Sequence, residues 1–201
     1  MKKQIIVLAA FLMASIALNA QVSNTESSTE SKSSFGLKGG YNLASVKFDR
    51  DSETGQRHGF NVGFYGESFV GNAVALQIEF QYSQQGYEIK NDNSTFTQKV
   101  NYINMPLSIN LYPTKNFFLQ VGGQVGLAIS HKEEFDSSFN LFDVSQEFDP
   151  NKFDYGANVG AGFKTDSGVR LSARYHFGLG DIYDDGKPRN RVLQFTLGFD
   201  L

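Results

Sequence analysis

From Phe35 to Leu201 the chain alternates between apolar and polar or small residues with a period of two, segment after segment. Phe35, Leu37, Gly39, Tyr41 and Leu43 interleave with Gly36, Lys38, Gly40 and Asn42. Phe60, Val62 and Phe64 interleave with Asn61, Gly63, Tyr65 and Glu67. Val74, Leu76, Ile78, Phe80 and Tyr82 stand against Ala75, Gln77, Glu79, Gln81 and Ser83, and Ile103 to Leu111 repeats the pattern against Tyr102, Asn104, Pro106, Ser108 and Asn110. Four further runs begin at Phe117, Phe153, Val169 and Leu193. Successive side chains of a strand point to opposite faces, so eight such runs predict eight strands, each with one wholly uncharged apolar face. Each is near the roughly 9–11 residues that a tilted strand needs to cross a bilayer. Pro106 cannot donate to a ladder, which predicts a local bulge there.

Alternation alone does not say which face points outward, since a soluble lipocalin-type barrel alternates too. Three features place the apolar face against lipid. The polar face carries Gly36, Gly40, Gly63, Gly122, Gly126, Gly156, Gly160, Gly162, Gly178 and Gly198. Glycine suits the crowded interior of a narrow barrel and is a poor choice for a solvated strand surface. The same face sets Lys38, Lys164, Arg170 and Arg174 against Glu67, Glu79, Asp154 and Asp200, the balance that a dry interior requires. Aromatic residues crowd the ends of the apolar face at Phe35, Tyr82, Phe117, Phe153, Tyr155, Phe163 and Phe199, as interfacial girdles do.

The connections agree. Gly71-Asn72, Pro113 to Asn116 and Asp166 to Gly168 are short turns, whereas 44–59, 84–99, 130–152 and 180–190 are long loops. Short turns on one side and long loops on the other mark an outer-membrane barrel. The N-terminus supplies the route: Met1-Lys2-Lys3, an apolar run from Ile5 to Leu18 and Ala20 read as a signal peptide over 1–20. Residues 21–34, rich in Ser, Thr and Glu, read as a disordered periplasmic leader, and 35–201 as the barrel domain.

Composition narrows the chemistry. The 201 residues suit one domain, and no second apolar run is long enough for a helical membrane protein. The absence of Cys excludes a disulfide scaffold, thiolate zinc, a Cys nucleophile and a lipid-anchored N-terminus. A net charge of -3, or -5 without Lys2 and Lys3, offers no basic footprint for nucleic acid. Of the three His, His176 shares the inner face with Arg174 and is read as joining its charge cluster. Ser130-His131 invites comparison with barrel lipid-A deacylases, but adjacent strand residues face opposite ways and cannot form that pair. Asp181, Asp184, Asp185 and Gly186 lack EF-hand spacing and read as solvated loop acids. No catalytic residue, metal or cofactor is expected.

The stretches Leu37 to Leu43 (LKGGYNL), Gln84 to Gly86 (QQG), Tyr102 to Leu107 (YINMPL), Ala157 to Phe163 (ANVGAGF) and Arg174 to Leu179 (RYHFGL) together resemble the Bacteroidetes outer-membrane β-barrel family, often labelled porin-family or PorT-like. The resemblance covers the chain from Phe35 and implies an all-β, eight-stranded antiparallel up-and-down transmembrane β-barrel of the small OmpA/OmpX type. The C-terminal run Gln194 to Leu201 resembles the signal read by the barrel-assembly machinery.

The inner faces predict a lumen charge network. Lys38, Glu79 and Arg174 form its centre, Glu67, Lys164, Arg170 and Asp200 a lower group, and Asp154 and His176 complete it. Loop 130–152 carries Phe135, Phe139, Phe142 and Phe148 among acidic residues, and reads either as a packed cluster, as strands rising above the membrane, or as a partner-binding surface. The expected function is structural or surface-interacting, through the long loops of a plugged monomer. A narrow channel for small solutes and a secretion-system accessory are the alternatives. Outer-membrane lipid, lipopolysaccharide, the assembly machinery and an extracellular partner are the expected contacts, without nucleic acid.

Overall fold

Each alternating run is a strand in the computed structural model, which describes residues 33–48, 54–91, 94–137, 144–146, 152–182 and 188–201. The expected signal segment and nearly all of the expected leader lie outside the described residues. The strands are β1 (Ser33–Lys47), β2 (Gly55–Phe69), β3 (Val74–Asn91), β4 (Ser94–Leu111), β5 (Phe117–Ser137), β6 (Val144–Gln146), β7 (Phe153–Lys164), β8 (Val169–Asp181) and β9 (Arg189–Asp200). Eight of them form a ring of antiparallel neighbours, β1-β2-β3-β4-β5-β7-β8-β9, which closes where β1 pairs β9 from Gly36↔Asp200 to Lys47↔Arg189. Closure leaves none of these eight strands with a bare edge. β6 stands outside the ring and pairs with β5, from Glu133↔Gln146 to Phe135↔Val144.

The burial pattern is inside out relative to a soluble barrel. Outward apolar side chains such as Leu171 are more than half exposed (58%), while Asn42, Gln81, Asn104 and Asn158 are fully buried within the ring (0%). Apolar residues with no protein to cover them on a closed barrel need a hydrocarbon solvent.

Three connections differ from expectation, the first being 44–59, of which Ala44 to Lys47 belong to β1 and Gly55 to Gly59 to β2. Residues 84–99 are not a loop: β3 and β4 stay paired from Gln84↔Asn101 up to Asn91↔Ser94. Likewise β5 continues to Ser137, so 130–152 begins as strand. At 18, 18 and 21 residues, β3, β4 and β5 far exceed a bilayer crossing and stand proud of it at the loop end. The alternation fades there because the two faces trade character: Gln84 and Glu88 hold the outward register, while Tyr87 is buried in an apolar cluster.

The expected bulge at Pro106 is absent. Pro106 pairs in register with Gln124, and β3–β4 keeps one register from Ile78↔Leu107 to Gln81↔Asn104. The ladder simply omits Glu79 and Phe80 opposite Met105 and Pro106, so the missing N–H costs local pairing rather than an inserted residue. Register shifts lie elsewhere, between Gln56 and Asn61 on β2, between Phe177 and Asp181 on β8, and on β4–β5, where Asn101↔Ser130 gives way to Tyr102↔Ala128 and leaves Ile129 as the extra residue on β5.

Glycine on the inner face makes room for rings. A methyl group at Gly36 would overlap the Tyr65 hydroxyl and the Phe199 carbonyl, and one at Gly162 would overlap the Phe118 ring. The rings thus occupy the space that the absent side chains leave. Phe118 packs with Ala75, Tyr112 and Phe69 at the turn end of the barrel. At the loop end Val46, Tyr87 and Ile182 pack with Phe48 and Phe96. A third cluster, Val100, Tyr102 and Ala128, lines the β4–β5 wall.

Candidate functional site: the barrel lumen

Charged residues are brought together by strands that end at the same rim. Glu67 closes β2, Lys164 closes β7, Arg170 opens β8 and Asp200 closes β9, so all four reach the turn end. Arg170 donates through Nη2 to Glu67 Oε1 (2.7 Å) and through Nε to Asp200 Oδ1 (2.8 Å). Lys164 lies 2.7 Å from Asp200 Oδ2 and 3.8 Å from Glu67 Oε1. Tyr65 donates to Asp200 (2.6 Å), and its ring lies under the Arg170 guanidinium at 4.8 Å. Asn110 (2.7 Å) and Tyr112 (2.9 Å) also donate to Glu67. Every oxygen of the two carboxylates is thereby engaged, the condition under which buried ion pairs are tolerable.

Deeper in the barrel, Lys38 Nζ donates to Glu79 Oε2 at 2.5 Å, and Arg174 Nη2 and Gln77 Nε2 both donate to Glu79 Oε1. All three charged side chains are nearly inaccessible to solvent. A belt of amides follows. Asn42 accepts from Asn61 (2.7 Å) and Gln194 (3.3 Å) and donates to Ser83 (3.0 Å) and to the Gln84 carbonyl (2.9 Å).

His176 does not enlarge the Arg174 cluster. Its ring nitrogens face Asn158 Oδ1 (2.8 Å) and Asp154 Oδ2 (3.3 Å), which makes a separate group toward the loop end. The reason is positional: Asp154 lies at the loop end of β7, and Asn158 is the cross-strand partner of His176. Tyr65, Gln77, Asn110 and Tyr112 are partners that charge counting alone overlooks. All but Tyr112 sit on the inner face of the alternation, which was the available signal.

The remaining candidates are at the loop end. Phe135 belongs to β5, its backbone in register with Phe96 and Val144. Phe139, Phe142 and Phe148 lie outside the described residues, as do Asp184, Asp185 and Gly186. Asp181 pairs with Arg189 at 3.1 Å. Ser130 and His131 are consecutive residues of β5, beyond the bulge. On the outward face the Tyr41 hydroxyl meets His58 Nδ1. At the opposite rim Lys115 pairs with Asp166 at 2.8 Å and holds that carboxyl below its ordinary range by the hydrogen bond it donates.

A closed antiparallel ring of eight strands, apolar outside and polar and charged inside, is an outer-membrane β-barrel. The sequence matches the outer membrane protein beta-barrel domain over residues 19–184, and the chain belongs to that family. Among solved structures it is similar to Neisserial surface protein A (14% identity, 85% of this chain and 99% of that one, TM-score 0.56). It is also similar to Ail, the attachment invasion locus protein of Yersinia pestis (16%, 85% and 99%, TM-score 0.49), and to OprG from Pseudomonas aeruginosa (12%, 85% and 97%, TM-score 0.41). At such identities the likeness speaks for the fold alone. A search of curated protein sequences finds no match.

Proposed function

We propose that this outer-membrane barrel is a closed scaffold whose work is done at its loop end, as a structural or surface-interaction protein. The observation that carries the reading is the layering of the lumen. An aromatic cluster and the lower charged group share the turn end, joined by the Tyr112–Glu67 hydrogen bond, and the central charged group, a belt of amides and an apolar cluster at the loop end follow along the axis. Each group joins side chains from several strands by packing or hydrogen bonds, which supports a lumen filled by the protein itself. The projecting parts of β3, β4 and β5, with β6 added at their edge, form a sheet suited to present loops to a partner outside the cell. Loop 130–152, with Phe135, Phe139, Phe142 and Phe148, is the proposed contact segment.

The same reading has a signal peptide cleaved after Ala20, insertion by the barrel-assembly machinery, and a monomer that meets outer-membrane lipid and lipopolysaccharide. It involves no catalysis. Kinship with the Bacteroidetes porin-family or PorT-like barrels is supported by the stretches LKGGYNL, YINMPL and RYHFGL; a secretion-accessory role rests on that kinship alone.

A narrow channel is the competing reading, and one observation favours it. Both amide atoms of Gln81 and of Asn104, cross-strand neighbours on β3 and β4, lack a hydrogen-bond partner although fully buried, as if a thread of water served them. Planar-bilayer conductance of the refolded protein separates the two. Silence from a sample with heat-modifiable gel mobility is expected, and discrete, voltage-stable steps would overturn the closed scaffold.

A further inference from the structure

We propose that the lumen holds a buried site for a small monovalent anion, of the chloride class, between its central and lower charged groups. A cavity of about 20 Å³ lies there, enough for one water-sized species. Its wall brings together Lys38, Arg170 and Arg174 with the hydroxyl-bearing Tyr65, Ser172 and Thr196, and includes no carboxylate. Arg174 is 3% exposed and Arg170 5%, yet Arg174 Nε and Nη1 and Arg170 Nη1 have no hydrogen-bond partner. A guanidinium nitrogen can only donate, so whatever satisfies these three must accept.

Charge points the same way. The sequence balances four inner-face cations with four carboxylates, but the fold separates them. Asp154 sits with His176, six residues along β7 from Gly160, the cross-strand partner of Arg174, or roughly 20 Å at strand spacing. What surrounds the cavity is therefore Lys38, Lys164, Arg170 and Arg174 against Glu67, Glu79 and Asp200. One positive charge is left over in a desolvated place, where an unpaired ion is costly. A water molecule would accept one or two of the orphaned N–H groups without neutralising that charge; an anion does both. The Ser172 and Thr196 hydroxyls are free to turn their protons toward it. The lumen plug is on this account a protein–anion composite.

The test uses protein purified from outer membranes, unfolded in urea and refolded at fixed ionic strength in chloride, bromide or gluconate so that the site equilibrates. A ligand bound by the folded state alone raises the unfolding midpoint in proportion to the logarithm of its saturation. The midpoint is expected to climb with the logarithm of halide concentration, without a plateau, as chloride or bromide replaces gluconate. Ser172→Asp, which places a carboxylate in the wall, should make it independent of halide. Crystals grown in bromide should show an anomalous peak within hydrogen-bond reach of Arg170 Nη1 and Arg174 Nη1. That measurement on the unaltered protein stands even if the variant fails to fold. A midpoint indifferent to halide, bromide found only elsewhere, or a halide response unchanged in Ser172→Asp would each overturn the site.

Discussion

Lys38 on β1 and Glu79 on β3 meet at 2.5 Å across the full width of β2, the strand between them. The cross-strand neighbour of Lys38 on β2 is Gly63, where a methyl group would overlap the Phe80 carbonyl and Gln81 of β3. Arg174 reaches the same carboxylate from β8. Three strands that do not pair with one another are thus held through one glutamate. Glu79→Ala leaves two buried cations facing each other, and the expected loss is roughly 3–5 kcal/mol of unfolding free energy. Replacing Lys38, Glu79 and Arg174 together by Met should cost less than Glu79→Ala alone. Urea unfolding in lipid vesicles measures both, and outer-membrane localisation should persist in each. Equal or greater loss in the triple variant would mean that the ion pairs are net stabilising.

Gly126 and Asn104 form a pair with a different logic. A methyl group at Gly126 would collide with the Asn104 amide and with no backbone atom. Gly126→Ala should therefore cost about 1–3 kcal/mol by overpacking. Removing the amide in Gly126→Ala/Asn104→Ala should recover most of it, because Asn104 makes no side-chain hydrogen bond that the change would break. The expected coupling is about 0.5–3 kcal/mol, read from a double-mutant cycle of unfolding midpoints. Additive losses would show that the glycine is required by backbone coiling instead.

The strands and their faces were legible because each face meets a different medium, hydrocarbon outside and polar groups within, so the period of two is kept without exception from Val74 to Ser83. Beyond Gln84 and Asn101 the outward register turns polar while Tyr87 packs inward, so the signal ends and the paired residues read as loop. The inward position of Lys38, Glu79 and Arg174 followed from parity alone. Their contacts did not, since reach across a strand depends on barrel shear, which no local pattern encodes. The apolar clusters were hidden for two reasons. Ala75, Phe118 and Ala128 sit in the polar register, and Val46, Tyr87 and Ile182 fall in segments that read as loops. Charge balance was visible only as a total, and the distance of Asp154 from Arg174 is a property of the fold.

The proposed closed scaffold gives a layered expectation for conductance. Phe118→Ala at the turn end or Tyr87→Ala at the loop end should each cost about 3–5 kcal/mol and still leave the barrel silent, because the charged groups and the opposite cluster remain. Glu79→Ala/Arg174→Ala should also be silent, for the converse reason. Only when both clusters and the central group are cut in one barrel should steps appear. Current through any single-layer variant would identify that layer as the sole barrier.

Ile129 offers a test of how the projecting sheet is coupled to the membrane part. As the extra residue of the β5 bulge it lets the strand keep Leu127 outward below and pair His131 with Val100 above. Deleting it should turn the junction into a regular ladder with every other pair retained: Asn101 would still oppose Ser130, and Tyr102 would still oppose Ala128. The barrel loses one outward isoleucine, 51% exposed, and no inward side chain changes face. The deletion should therefore fold with unchanged heat-modifiable mobility. Deleting Ala128 instead makes Ile129 take its inward place against Tyr102, where a larger side chain must enter the Val100 and Tyr102 cluster at a cost of about 1–3 kcal/mol. A midpoint lowered as much by removing Ile129 as by removing Ala128 would mean that the bulge itself, through the added twist it gives β5, supports the sheet above the membrane.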